Sequence, residues 1–364
     1  MQQDMPKVNV HNKSLIGASL FSSAGIAEQY LADVGINIIV ANELLLERAQ
    51  LYKAQYPKSK MICGNILDDD IFNAVVAATP KKLDFLLASP PCQGMSIAGK
   101  NRTVKQMLAD SRNFLIFKII DFIKIKNPNF VLIENVPTFL RLELPYNEQL
   151  LKVTEILNLL FGENYNIESE VFDAAQYGVA QRRTRAIIKL YKKNKKWGLP
   201  KKSKTVTVRE AIGYLPSLEA GKKSNIKWHF ARKHLPKHIE CMSHTPTGKT
   251  AMENSIYFPT KENGERINAY NTTYRRINWD EPAPTITIRN DAISSQLNVH
   301  PGRLKADGTY SDARVLTPLE LMLLSSIPAD WSIPDNTPEL LIRKCIGECI
   351  PPLLVKQIVS QIQR

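Results

Sequence analysis

The sequence predicts an α/β protein: a doubly wound, mostly parallel sheet, followed by a smaller region built mainly of strands and loops. Three observations predict it. Short apolar runs the length of buried strands recur at Ser14–Phe21, Ile36–Ala41, Leu83–Ala88 and Asn129–Ile133, with helical stretches between them. The first run feeds a small-residue turn and then a helical stretch, the order found in cofactor-binding doubly wound sheets. From about Pro216 to His300 the long periodic runs give way to turn residues.

Taken in order, Met1 to Lys13 reads as a polar arm, and Ser14–Phe21 as the first buried strand. Ser22-Ser23-Ala24-Gly25 follows, a turn whose small residues let a ligand approach the backbone. Ile26 to Asp33 reads as a helix. Glu43 ends the second strand, roughly twenty positions after the turn, where an acid can accept hydrogen bonds from ribose hydroxyls. It also opens the helical stretch Leu44–Tyr56, where the helix dipole stabilises an acid, and both roles are compatible. Gly64-Asn65-Ile66 follows a third strand.

The run Leu83–Ala88 ends in Ser89-Pro90-Pro91-Cys92-Gln93-Gly94. Two prolines can neither continue a strand's hydrogen bonding nor enter a helix interior. Cys92 therefore stands on a rigid turn past a strand end, where open parallel sheets bind ligands. Most free cysteines are small buried hydrophobes, but the prolines and Gln-Gly build a shaped loop instead. Ile97–Arg102 is a basic stretch, and Asp110 reads as the N-cap of a helix from Ser111 to Ile125. Asn129–Ile133 ends in Glu134-Asn135-Val136, a carboxylate at a strand end beside the cysteine strand. Glu148–Phe161 reads as a helix. Ile167–Asp173 and Thr184–Leu190 read as a strand pair, with Arg183 and Arg185 alternating onto one face.

The composition narrows the classes. An apolar share of 44% in 364 residues allows a sizeable core. No apolar run reaches membrane-spanning length, and the N-terminus lacks the pattern of a signal peptide. Five cysteines in a long chain without an export signal point to a reduced, cytoplasmic setting. Cys345 and Cys349 lack a nearby histidine or second cysteine pair and read as packing residues, so no metal is expected. Net charge is +13, and Tyr191–Thr250 alone holds fifteen Lys/Arg against three Asp/Glu. Charge runs are often solvated faces, but an excess this one-sided favours a polyanion partner such as nucleic acid.

Pro90-Pro91-Cys92-Gln93-Gly94, Glu134-Asn135-Val136 and Gln181-Arg182-Arg183-Thr184-Arg185, in that order and spacing, resemble the motif set of the DNA cytosine-5 methyltransferases. The resemblance runs from about Leu15 to about Leu354. Phe21 and Gly25 match the family's first motif, with Ser23 where glycine is usual. Asn65 stands where an acid is usual, with Asp68 as a substitute. Arg314–Glu320 and Ile346–Pro352 resemble the ninth and tenth motifs, with Leu319 and Glu348 in place of arginine and asparagine.

What the resemblance implies is specific. The fold would be a Rossmann-like S-adenosylmethionine-dependent domain, 1–200 completed by 335–364, with a target recognition domain at 201–334. The cofactor would be held by Phe21, Ser22, Ser23, Gly25, Ile26, Glu43, Leu44, Asn65, Ile66, Pro90, Leu115, Glu348, Cys349 and Ile350. Cys92 would add to cytosine C6, Glu134 would hold a proton at N3, and Arg183 and Arg185 would hold charge at O2 and orient Glu134. Gln93, Ser96, Lys100, Arg102 and Gln181 would touch duplex DNA, and the basic segment from Tyr191 would bind phosphates. The target base must leave the stack for this chemistry. A monomeric bacterial modification enzyme is expected, paired with a restriction endonuclease acting on the same site. Other readings are an RNA cytosine-5 methyltransferase, a DNA-binding protein without catalysis, and a nicotinamide-dependent oxidoreductase. The last explains neither the Pro-Pro-Cys loop nor the basic segment.

Overall fold

The structure, a computed structural model, describes residues 14–91 and 114–363. β1 (Leu15–Leu20), β2 (Ile36–Glu43), β3 (Lys60–Cys63), β4 (Phe85–Ala88), β5 (Phe130–Asn135), β8 (Tyr165–Asp173) and β9 (Thr184–Lys192) form one sheet in the order β3-β2-β1-β4-β5-β9-β8. The first five strands are mutually parallel, and β9 is antiparallel to both β5 and β8. Strand order reverses between β1 and β4, the topological switch point where such sheets place their ligands.

The sheet is covered on both faces. Leu86, Ala88, Val131 and Ile133 pack into one core with α2 (Asp69–Ala78), α3 (Leu115–Lys126) and α4 (Val153–Phe161). Their neighbours Phe85, Leu87, Phe130 and Leu132 pack into a second core with α9 (Pro352–Val359). Period-two alternation of apolar residues on both faces makes these strands read as continuous apolar runs.

Two expected helices form differently. Ile26–Asp33 is two short 3-10 turns, Ile26–Glu28 and Ala32–Val34. Ile26 packs with residues of the recognition region and Leu31 with the sheet, so the segment's apolar residues serve two cores and not one helical stripe. Glu148 does not open a helix. Asn147 and Glu148 take left-handed φ values of 48° and 62° between β6 (Glu143–Tyr146) and β7 (Gln149–Lys152). That is hairpin-turn geometry, and the helix starts only at Val153.

Beyond β9, β10 (Lys196–Trp197) pairs with β11 (Ile362–Gln363) in a separate two-stranded sheet. The region expected as a separate recognition domain divides differently in its packing. α5 (Val208–Ile212), α7 (Pro318–Leu324), α8 (Glu339–Glu348) and the stretch Ile277–Ile286 share a core with Ala24, Ile26, Leu51 and Ala180 of the catalytic part. A smaller core of its own gathers Cys241 and Met242 of α6 (Pro236–Ser243) with Ala251, Tyr274, Ile293, Val299, Ala313 and Val315. The boundaries expected at 201 and 334 therefore fall inside a shared core. No helix among the described residues is long and apolar enough to cross a membrane.

Candidate active site

The C-terminal edge of the parallel strands gathers the candidate residues. Ser22 N–H donates to Asn42 O at 2.9 Å, Ser89 N–H to Leu20 O at 3.3 Å, and Gly64 N–H to Glu43 O at 2.9 Å. These bonds place the turns after β1, β2, β3 and β4 side by side. Asn135, at the end of β5, donates through Nδ2 to Pro90 O at 3.1 Å and accepts from Val136 N–H at 2.9 Å. It links the strand carrying Glu134 to the segment entering the cysteine loop. Its position in Glu-Asn-Val was the available signal, but its partner is visible only in three dimensions. Cys92, Gln93, Ser96, Lys100, Arg102 and Asp110 lie outside the described residues.

Glu134 is 8% exposed, and its Oε1 is 2.8 Å from Arg185 Nε. Burial raises its carboxyl above the ordinary range, opposed by the charges of Arg185 and Arg183. A buried acid with a raised pKa at a strand end suits proton donation. Arg183 is anchored differently from Arg185. It is 2% exposed, donating through Nη1 to Ile286 O at 2.6 Å and through Nη2 to Gly347 O at 2.8 Å. It joins the catalytic sheet to the recognition region and to α8, and it reaches Glu134 as a charge. Among the described residues Arg185 pairs with Glu134, while Arg183 spans the interface and acts on Glu134 as a charge.

Gln181 is also corrected. It is 1% exposed, with Nε2 donating to Ser325 Oγ at 2.9 Å and Oε1 accepting from Ile286 N–H at 3.1 Å. Both ends of its amide are used inside the protein, so it is not placed to touch DNA.

The turn after β1 is strained and ordered from below. Phe21, Ser23 and Gly25 have φ of 61°, 48° and 71°, the left-handed region in which Cβ-bearing residues are disfavoured. This is why glycine is usual at Ser23. Ser23 N–H donates to Glu43 Oε2 at 2.8 Å, while Glu43 Oε1 accepts from Leu45 N–H at 2.9 Å. Glu43 thus fixes the turn and the start of α1 (Leu46–Gln55), with one bond on each oxygen and lone pairs to spare. Ser23 Oγ is buried without a hydrogen-bond partner among the described residues. Beside it Leu44 is 59% exposed at a strand end.

The other cofactor candidates are mostly occupied. Ser22 Oγ bonds to Ser19 and Asn42, and Ile26, Ile66, Leu115 and Ile350 are buried in cores. Asn65 Oδ1 accepts from Leu67 N–H at 3.1 Å, forming the turn before α2. Glu348 pairs with Arg48 at 2.7 Å, so it ties α8 to α1. Pro90 is buried and Cys349 half-buried, its thiol pushed up to about 11 by burial.

Residues unsignalled by motif brace this turn. Glu28, 3% exposed, accepts from Tyr52 Oη at 2.5 Å, and Tyr56 Oη donates to Gly25 O at 2.9 Å. Burial raises Glu28 to about 7. A raised folded pKa adds stability that is complete below the unfolded value near 4.5 and lost as pH rises through about 7. Glu28→Gln keeps an acceptor for Tyr52 and removes the titration. It is expected to flatten the decline in unfolding free energy between pH 5 and pH 8, a difference on the order of 3 kcal/mol, measured by urea unfolding across that range.

The described geometry is a raised acid paired to arginine at the C-terminal edge of the parallel strands, on the strand next to the one that ends at Ala88. Residues 16–364 match the family model described as C-5 cytosine-specific DNA methylase. The chain belongs to this family. It is 58% identical over 351 residues to the type II methyltransferase M1.HgaI of Avibacterium volantium, covering 96% of this chain and 98% of that one. It is 28% identical to the type II methyltransferase M1.HphI of Haemophilus parahaemolyticus, covering 98% and 89%. Among solved structures, a methyltransferase of Entamoeba histolytica superposes with a TM-score of 0.62 at 15% identity, covering 95% and 97%. A prophage-encoded E. coli protein does so with 0.68 at 20% identity, covering 96% and 98%. These likenesses show the Rossmann-like methyltransferase fold. The chain is a DNA cytosine-5 methyltransferase.

Proposed function

We propose that this methyltransferase uses S-adenosylmethionine to methylate C5 of a flipped-out cytosine in a specific duplex sequence, through a covalent bond between Cys92 Sγ and cytosine C6. The observation that carries the reading is Glu134: buried, raised above its ordinary range, held by Arg185, and on the strand next to the one that enters the Cys92 loop. The similarity to type II methyltransferases supports a role in restriction–modification, with a cognate endonuclease acting on the same site.

The described residues fit the cofactor. Ser23 Oγ is a buried hydroxyl without a partner among the described residues, in a turn of small residues, Glu43 keeps acceptor lone pairs at the adjacent strand end, and Leu44 offers an exposed apolar surface beside it. These three would hold it, with Asn65 at the next strand end. When bound, the cofactor supplies an electrophilic methyl group.

This chain's residues do the rest. The Cys92 thiolate adds to C6, breaking the C5–C6 double bond and making C5 nucleophilic. Glu134 delivers a proton to N3, so that the added electron pair is not left as ring charge. Arg185 fixes the carboxyl's direction, and Arg183 supplies positive potential from behind. C5 then takes up the methyl group, a water molecule takes the C5 proton, the C5–C6 double bond re-forms as Cys92 leaves as thiolate, and the N3 proton returns to Glu134.

The test is transfer of a labelled methyl group from S-adenosylmethionine to unmethylated DNA, with tRNA in a parallel reaction, followed by nucleoside analysis. Label is expected in 5-methylcytosine of DNA. Cys92→Ser is expected to abolish it while cofactor binding, followed by calorimetry, persists. Full transfer by Cys92→Ser, or label in tRNA and none in DNA, would overturn the reading.

A further inference from the structure

The Lys-Lys-Asn-Lys-Lys cluster takes no part in the site above, and strand direction explains why. β9 is antiparallel to β5, with Ala186 opposite Asn135 and Tyr191 opposite Phe130. Its first residues lie at the catalytic edge. Lys192 ends it at the opposite edge, about 17 Å along the strand from Ile187. The basic segment is expected to bind phosphates, and strand direction puts these lysines at the edge away from the catalytic residues.

Two other segments deliver lysines to the same edge. Lys81 and Lys82 precede β4, which begins at Phe85, and Lys124 and Lys126 close α3 just before β5 begins at Phe130. β4, β5 and β9 are neighbours in the sheet, so their ends span about 10 Å across the strands. Lys126 Nζ donates to Thr79 O at 2.6 Å, and the charge of Lys81 acts on it. Lys192 N–H donates to Asn129 O at 3.1 Å and Lys193 N–H to Asn164 O at 3.0 Å.

Little negative charge answers them. Asp84 is engaged by Ile16 N–H and Asn129, Asp33 by Lys356, and Glu168 by Lys189 and Tyr191. Glu163 is the acid that lines the shallow hollow between Asn127 and Lys193. Lys81, Lys82, Lys193 and Lys196 are exposed and form no ion pair with an acid among the described residues.

We propose that the sheet edge opposite the active site is a sequence-independent phosphate-binding surface for a second segment of duplex DNA. The proposal rests on the reading that this enzyme's substrate is duplex DNA. A duplex engaged at the catalytic edge cannot also lie across the far ends of the strands, so the occupant is a second segment of the same polyanion. Contacts from three separate loops suit a backbone, whose phosphates repeat regardless of sequence.

The test is the quadruple variant Lys81→Gln, Lys82→Gln, Lys193→Gln and Lys196→Gln in the full chain. On a short duplex carrying the methylated site, found by sequencing the product of the labelling reaction, its kcat/KM is expected within twofold of wild type, which establishes folding. Wild-type turnover on that duplex checks the substrate reading separately. Binding of a labelled non-cognate duplex is then measured to enzyme saturated with short cognate duplex, from 50 to 200 mM salt. Wild type is expected to bind this second duplex, with a log–log salt slope steeper than the variant's by about 3 to 4 and affinity at least tenfold higher at the low-salt end. No second duplex on wild type, or equal binding by the variant, overturns the proposal. Single-stranded RNA displacing the second duplex at lower concentration than duplex DNA does overturns the choice of partner.

Discussion

Glu134→Gln is expected to lower kcat by about 10²- to 10⁴-fold, the usual worth of a positioned general acid, with little change in cofactor affinity. Glutamine keeps the size and an oxygen that accepts from Arg185 Nε, which Glu134 Oε1 meets at 2.8 Å. It cannot pass a proton. The pH profile separates this from a packing defect. Glu134's carboxyl is raised chiefly by burial, so its protonated form persists above the ordinary carboxylate range. Wild-type turnover is expected to fall as pH rises through that raised value, and the variant's residual turnover to be flat there. A variant retaining half the wild-type kcat would show that Glu134 is not the acid.

Arg314→Met is expected to cost about 3–5 kcal/mol of stability, the loss typical when one partner of a buried ion cluster is removed, measured by chemical denaturation at pH 7. Arg314 is fully buried, and each of its five N–H groups is used. Nη1 and Nη2 reach the two oxygens of Glu320 at 2.8 and 2.9 Å, and Nη2 also reaches Asp312 at 2.8 Å. Nε donates to Leu218 O at 2.6 Å and Nη1 to Val315 O at 3.1 Å. Methionine would leave Glu320 in the interior without an arginine, and Asp312 with the longer approach of Arg303 Nη1 at 3.6 Å. With Arg314 in place, burial and then Arg314's charge push the pKa of His300 down to about 3, so its approaches of 3.8 and 3.7 Å to Asp312 and Glu320 are those of a neutral ring. The sign of the pH dependence follows. Arg314 lowers Glu320 to about 2, so the stabilisation is complete above about 4.5 and lost as pH falls toward 2. The deficit of Arg314→Met is therefore expected to shrink below pH 4.5. Arg314→Lys should recover only part of it, because an ammonium cannot match the guanidinium fork.

Much of this enzyme was legible in its sequence because the signals were local. Apolar runs of strand length marked β1, β2, β4 and β5 and put Glu43 and Glu134 at strand ends. The family resemblance rested on three short motifs and agrees with the match over residues 16–364. The misread elements were those whose local pattern was overruled. Ile26–Asp33 has helical composition, but Ile26 and Leu31 belong to different cores. Glu148–Lys152 has helix formers, but Asn147 and Glu148 close a hairpin.

The site shows the same division. By itself, the sequence determined which chemistry is present: a cysteine after two prolines, a carboxylate at the neighbouring strand's end, and arginines at alternate positions. Only the tertiary structure decided which arginine meets Glu134. Arg183 finds its acceptors at Ile286 and Gly347, more than a hundred residues away, and Gln181 is locked between Ser325 and Ile286 in the same interface. It also decided where the basic cluster lies. A period of two says that neighbouring side chains alternate, but not which way the strand runs. Because β9 returns antiparallel beside β5, Arg185 begins it at the catalytic edge and the lysines follow at the other end. Strand direction is set by how the chain pairs across the sheet, and no window of residues carries that information.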